Sequence, residues 1–125
     1  MTTLSLQNHI SALIPPNSRV LDLGCGEGLL LDNLSQKSNI TGYGIDYNFK
    51  NITTCISKGI SVFQGNIDDG LSGFSDHSFD YVILSQTLQQ VKDPLFVISE
   101  MLRVGKKAIV TFPNFTHWKS RLSLL

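Results

Sequence analysis

Cysteine is scarce in this chain: only Cys25 and Cys55 occur in 125 residues. They lie far apart, with no metal-type spacing, so no metal site is expected and two reduced thiols in a cytosolic protein are. No excess of charge of either sign exists, since ten basic side chains face ten acidic ones. No basic stripe stands out, which leaves a nucleic-acid footprint unsupported. No apolar run approaches the ~20 residues needed to span a bilayer. The N-terminus lacks a basic segment followed by an apolar core, so no signal peptide is read and the expected location is cytoplasmic. Two phosphate-binding strings are also missing. There is no G-x-x-x-x-G-K-[ST], and the dinucleotide pattern G-x-G-x-x-G fails because its third glycine comes one residue early, with Leu29 in its place.

The chain is instead organised around residues 20–28, Val-Leu-Asp-Leu-Gly-Cys-Gly-Glu-Gly. Val20, Leu21 and Leu23 form the short apolar run of a strand covered on both faces. Gly24, Gly26 and Gly28 then recur at every second position, permitting positive φ and close approach of backbone N–H groups to a ligand. Leu29, Leu30, Leu31 and Leu34 continue on a helical face. A helix start beside such a turn offers unpaired N–H groups and a positive dipole end. The whole reads as a nucleotide-type binding corner, with an ordinary Gly-rich strand-to-helix turn as the plainer alternative.

The remaining chain alternates helix and strand, which predicts a mostly parallel α/β sheet in one domain spanning residues 1–125. A helix is expected from Thr3 to Ile14, a strand from Arg19 to Leu23 and a helix from about Glu27 to Gln36. A second strand runs from Ile40 to Asp46, where Gly42 and Gly44 allow close approach of backbone or ligand. Asp46 ends it about 20 residues beyond the glycine turn, the distance at which an acid accepts hydrogen bonds from two ribose hydroxyls. The alternative for Asp46 is a helix-capping or solvated loop acid. Asn48 is expected to cap a helix bearing Ile52, Cys55 and Ile56. Ile60, Val62 and Phe63 form a third strand, with Asp68 and Asp69 after it as solvated loop acids. Phe79 to Ser85 is a fourth strand, and the polar stretch Gln86 to Gln90 lies past its carboxyl end, where open α/β sheets place ligands. Asp93-Pro94 starts a helix whose buried face is expected at Leu95, Ile98, Met101 and Leu102, with Gly105 as its stop. Ala108 to Phe112 is the fifth strand, Pro113 to Trp118 a loop, and Lys119 onward another helix.

The string D-x-G-x-G-x-G from Asp22 resembles motif I of the class I S-adenosylmethionine (SAM) methyltransferases. SAM carries an ammonium and a carboxylate at its amino-acid end. Asp22 would serve the ammonium, and turn N–H groups the carboxylate. Later strings are more specific: residues 84–89, Leu-Ser-Gln-Thr-Leu-Gln; residues 101–107, Met-Leu-Arg-Val-Gly-Lys-Lys; then Phe112-Pro113-Asn114-Phe115 and His117-Trp118. Together with the glycine turn they resemble the MetW family of methionine-biosynthesis proteins, from Val20 to Leu125.

That resemblance implies a Rossmann-like class I methyltransferase sheet, with five strands present and helices on both faces. It implies SAM or S-adenosylhomocysteine as cofactor, and homoserine O-acyltransferase as partner. By position, the implied cofactor pocket is Asp22, Gly24, Gly26 and Gly28, then Asp46 with Tyr47, then Asn66 with Ile67, then Ser85. Asn66 stands where related enzymes often carry an acid for the adenine amino group, and its carbonyl accepts without charge. The fold normally has seven strands, and the apolar end at Leu122, Leu124 and Leu125 is read as that of a fragment. Its fifth strand would then be left as an edge.

Methyl transfer needs alignment and, for many acceptors, a base. Many related methyltransferases carry a histidine pair after the fourth strand; here Gln89-Gln90 stand there. His77 falls at the wrong end of the sheet and His9 on the first helix. His117 is on the pocket side, either as a base or as a partner-facing loop histidine, so no catalytic residue is assigned. Phe115, Trp118, Leu122 and Leu125 have the composition of interface anchors, or would bury against further chain. Two readings follow: a SAM-binding protein acting with the acyltransferase, or a methyltransferase acting on a small molecule.

Overall fold

The structure is a computed structural model that describes residues 3–37, 39–85, 90–111 and 122–124. The elements are α1 (Thr3–Leu13), β1 (Arg19–Leu23), α2 (Leu29–Leu34), β2 (Thr41–Asp46), α3 (Phe49–Ser57) and β3 (Ser61–Gln64). A 3-10 turn at Ile67–Asp69 follows, then β4 (Phe79–Ser85), α4 (Pro94–Val104), β5 (Gly105–Thr111) and β6 (Leu122–Leu124). The sheet order is β3-β2-β1-β4-β5-β6. The first five strands are mutually parallel, and β6 pairs antiparallel with β5. This is the expected class I methyltransferase-like architecture.

Alternation along the strands sorts the core into two layers. Val20, Ile83 and Ile109 face α1 and α2, where Leu6, Ile10, Leu30 and Leu34 cover them. Leu21, Leu23, Val82, Leu84 and Val110 face the other way, onto Val97, Met101 and Val104 of α4. Asp22 alternates with Leu21 and Leu23, so it points into the α1–α2 layer.

Three expectations are corrected. The buried face of α4 is Val97, Met101 and Val104, whereas Leu95 is 79% and Leu102 42% exposed. Both sets have helical spacing. The rotation is set by Gly105, which runs straight from the helix into β5, and whose Cβ would lie 2.7 Å from Val82 Cγ2. On α3, Ile56 is exposed, while Ile52 and Cys55 are buried. Residues 122–124, expected to be helical, form β6 against Ile109–Thr111, so part of the fifth strand's edge is covered.

Gly44 explains how the sheet and α2 come so close. Its φ is ordinary, but a Cβ there would sit 2.5 Å from Cys25 Sγ and 3.0 Å from Leu31 Cδ1. What approaches this strand closely is thus the glycine turn and α2 rather than a ligand.

Candidate functional site

Strands β1, β2 and β4 end beside one another, with the chain reversing direction in the sheet between β1 and β4. Open α/β sheets bind ligands at such a switch point. Two cavities lie there. The larger, about 560 Å³, is lined by Gly24, Gly26, Asp46, Tyr47, Asn66 and Ile67, with Asn48, Asn51, Asp68 and Gln90 completing its polar rim. The smaller, about 180 Å³, is lined by Asp22, Ser85 and Glu27 and by Leu6, Gln7 and Leu30 of the flanking helices. Gly24 and Gly26 line both, so the two cavities adjoin at the glycine turn as the two parts of a crevice at the strand ends.

The turn is built on left-handed backbone, with φ of +68° at Gly24, +59° at Gly26 and +86° at Gly28, which non-glycine residues adopt at a cost. Four of its amides are committed inside the protein. Those of Gly24 and Cys25 both donate to the Ile45 carbonyl, at 2.8 and 2.9 Å, and that of Gly28 to Cys25 O at 3.0 Å. The Gly26 amide donates to Asp46 Oδ2 at 2.8 Å. The sequence reading gave turn amides to a ligand carboxylate; in the structure these four shape the turn instead. Gly28 lines neither cavity. A Cβ there would fall 2.5 Å from Ile60 Cδ1 and 3.1 Å from Cys55 Sγ.

Asp46 is buried and holds three donors. Besides Gly26, Asn48 N–H donates to Oδ1 at 2.8 Å and Asn51 Nδ2 at 3.3 Å. A carboxylate offers about four lone-pair sites. With three donors in place, one acceptor site stays open, and a second opens only if the long Asn51 bond yields. Tyr47 is 75% exposed on the lip of the larger cavity. Asn66 Oδ1 accepts from the Asp68 amide at 3.0 Å, so any adenine contact through that carbonyl shares the oxygen.

Asp22 differs from all of these. Only 3% exposed, its carboxyl has no hydrogen-bond partner among the described residues, although it lines the smaller cavity. Burial in this apolar layer, reinforced by the nearby Asp46 charge, raises its pKa to about 8. An isolated buried carboxyl takes up a proton rather than remain charged without a partner. A cation entering the smaller cavity would reverse that balance. Ser85 sits at the same end, its hydroxyl 3.2 Å from Thr111 Oγ1.

Asn48, expected only as a helix cap, Asp68, expected as a solvated loop acid, and Asn51, not singled out in the sequence, all line the larger cavity. Asp68 is not a free loop acid: it lines the larger cavity and accepts the Lys92 amide at 2.9 Å. The spacing of Asn48 and Asn51 after Asp46 held the available signal, since a capping Asn beside a strand-end acid directs its amide back at that carboxylate. His9 Nδ1 bonds the Ser5 carbonyl on the outer side of α1. His77 sits in the turn before β4, its amide donating to Arg103 O. Gln86–Gln89, Phe115, His117, Trp118 and Leu125 lie outside the described residues. Among the described residues no cluster of metal-ligating side chains occurs, and no helix is long and apolar enough to cross a membrane.

Comparison with known proteins bears on the family and the fold. The family model "Methionine biosynthesis protein MetW" matches residues 6–125. The bifunctional methionine biosynthesis protein MetXA/MetW of Rhodopirellula baltica is 38% identical over 123 residues, covering 92% of this chain and 20% of that protein. The ubiquinone biosynthesis O-methyltransferase of Hahella chejuensis is 31% identical over 96 residues, covering 73% of this chain and 40% of that one. The chain thus spans less than half the length of either relative. A SAM-dependent methyltransferase from Aquifex aeolicus superposes with a TM-score of 0.72 at 19% identity, over 83% of this chain and 62% of that one, and shares the fold.

Proposed function

The chain belongs to the MetW family, and on that premise we propose that it is a cytoplasmic SAM-binding protein that acts with homoserine O-acyltransferase in methionine biosynthesis. The observation that carries the cofactor is Asp22. A buried carboxyl that lines a cavity and has no partner among the described residues calls for a ligand cation, and the ammonium of SAM supplies one. The rest of the crevice suits the same ligand. Asp46 and Asn66 have acceptor capacity left for ribose and adenine. Ile67 gives the larger cavity an apolar wall and Tyr47 an aromatic lip, and Ser85 adds a hydroxyl beside Asp22. A volume of about 560 Å³ lies within the range of small-molecule sites. Gly24 and Gly26 let the ligand lie against bare backbone, while Gly28 supports the turn from behind.

The partnership rests on the Rhodopirellula relative, in which MetXA and MetW are parts of one protein. Fusion holds two modules at high effective concentration, and separate chains of the same pair are expected to associate. SAM would bring an activated methyl group to the crevice, but no catalytic base is assigned among the described residues. Methyl transfer to a small acceptor is therefore the second reading, favoured by the likeness to the Hahella O-methyltransferase.

The test is calorimetric titration of SAM into the chain and into Asp46→Ala, followed by acyltransferase assays with and without the chain and SAM. Binding that Asp46→Ala weakens tenfold or more, about 1.4 kcal/mol, supports the pocket. An acyltransferase response requiring both additions supports the partnership. A folded chain that binds no SAM refutes the cofactor reading.

A further inference from the structure

The electrostatics of the crevice point beyond SAM binding to a choice between SAM and its demethylated product. Four carboxyl side chains line the two cavities, Asp46 and Asp68 in the larger and Asp22 and Glu27 in the smaller. No lysine, arginine or histidine appears among the described lining residues. Asp46 is served by neutral donors and Asp68 by an amide, whereas Asp22 is buried and has no donor among the described residues. Gly24 and Gly26 line both cavities. A ligand with its adenosine at Asp46 and its amino acid at Asp22 therefore has its sulfur over the glycine turn, between the two carboxyls.

From this arrangement we infer that the crevice selects the positively charged sulfonium, binding SAM in preference to S-adenosylhomocysteine. The inference rests on the reading of the crevice as a SAM site. The two ligands differ by one methyl group and one positive charge. Among the described lining residues the only side chains able to carry charge at neutral pH are carboxyls, so that charge meets attraction and no opposing cation. The neutral thioether brings a single cation, its ammonium, to the same set of carboxyls. A protein with this preference reports the level of SAM itself, whether or not it transfers the methyl group.

The experiment is calorimetric titration of the full chain with three ligands at low and high salt. These are SAM, S-adenosylhomocysteine, and sinefungin, which carries an ammonium-bearing carbon in place of the methylsulfonium. SAM and sinefungin are expected to bind at least tenfold tighter than S-adenosylhomocysteine. The gap should narrow as salt screens the site, and also in Glu27→Gln at the exposed rim. Equal or tighter binding of S-adenosylhomocysteine overturns the inference while leaving the pocket intact. Tight SAM with sinefungin as weak as S-adenosylhomocysteine also overturns it, since recognition would then follow the methyl group and not the charge. If none of the three binds, the SAM site itself is refuted and the selectivity with it.

Discussion

Replacing Asp22 by Asn should make the protein more stable and less able to bind its ligand. In the ligand-free fold the carboxyl is buried without a partner among the described residues, and its pKa is raised from 3.8 to about 8. The unfolded chain ionises at the ordinary value, so it releases a proton that the folded chain keeps. The stability associated with the protonated group is fully present below the unfolded pKa and is lost as pH rises toward the folded one. Each pH unit in that window costs about 1.4 kcal/mol. At pH 7 the accumulated cost is roughly 4 kcal/mol, an upper bound because the amide is also a buried polar group lacking a partner. Asp22→Asn has nearly the same shape and does not titrate. Urea unfolding at pH 5, 6 and 7 should therefore show the variant gaining on the parent by nearly 3 kcal/mol across that range. SAM titration should show its affinity reduced tenfold or more, since the ligand ammonium loses its counter-charge. A variant less stable than the parent at pH 7, or a stability difference independent of pH, would refute the argument. So would unchanged SAM affinity.

The same carboxyl predicts proton release. At pH 7, SAM binding should expel close to one proton, read from calorimetry in buffers of different ionisation heat. Affinity should rise up to about pH 8 and fall above it, as the ligand ammonium, with an ordinary pKa of about 7.7–8.0, begins to lose its own proton. Gly44→Ala should destabilise the fold by about 1–3 kcal/mol in urea unfolding, because the new methyl group meets Cys25 and Leu31 in a filled layer. Arg103 ties α4 to the loop before β4, donating to the carbonyls of Leu71 and Phe74 and pairing with Glu100 and Asp76. Arg103→Ala should lower the melting temperature and speed amide exchange over residues 71–78. The Arg103 hydrogen bond and the Leu71 amide hold the Glu100 carboxyl below its ordinary pKa. That stabilisation should be present above the ordinary value and be lost as pH falls through the depressed one, a dependence that Glu100→Gln should remove from acid-unfolding curves.

The boundaries of β1 and β4 were legible to the residue, because each is a dense apolar run closed by polar or glycine-rich sequence. Asp46 and the glycine turn were legible as neighbours for the same reason: parallel strands of similar length end side by side. The rotation of α4 was not, since two apolar sets share the helical period and only its junction with β5 chooses between them. Nor was the use of the turn amides. Glycines at alternate positions mark where backbone comes close to something, but the partner here is the Ile45 carbonyl and the Asp46 carboxylate. Asp68 read as a solvated acid because its amide partner, Lys92, is distant in sequence. The short β6 depends on pairing with β5, a tertiary preference that local helical character does not report.

The placement of β4 beside β1 has a consequence for the order of events during synthesis. Arg19 and Asp80, joined across these strands, are 61 residues apart in the chain. At about 5–20 residues per second, a ribosome takes roughly 3–12 seconds to cover that distance. Within that delay β1 gains β2 on one side once Thr41–Asp46 has been made, and keeps an open apolar edge on the other. The strand that carries Asp22 thus completes its pairing only once the later strand has emerged, and until then its carboxyl remains in water, ionised at its ordinary pKa. Closure of the sheet and protonation of Asp22 should be one event, and a nascent chain stalled before Phe79 should still carry the charge that the finished, ligand-free protein has given up.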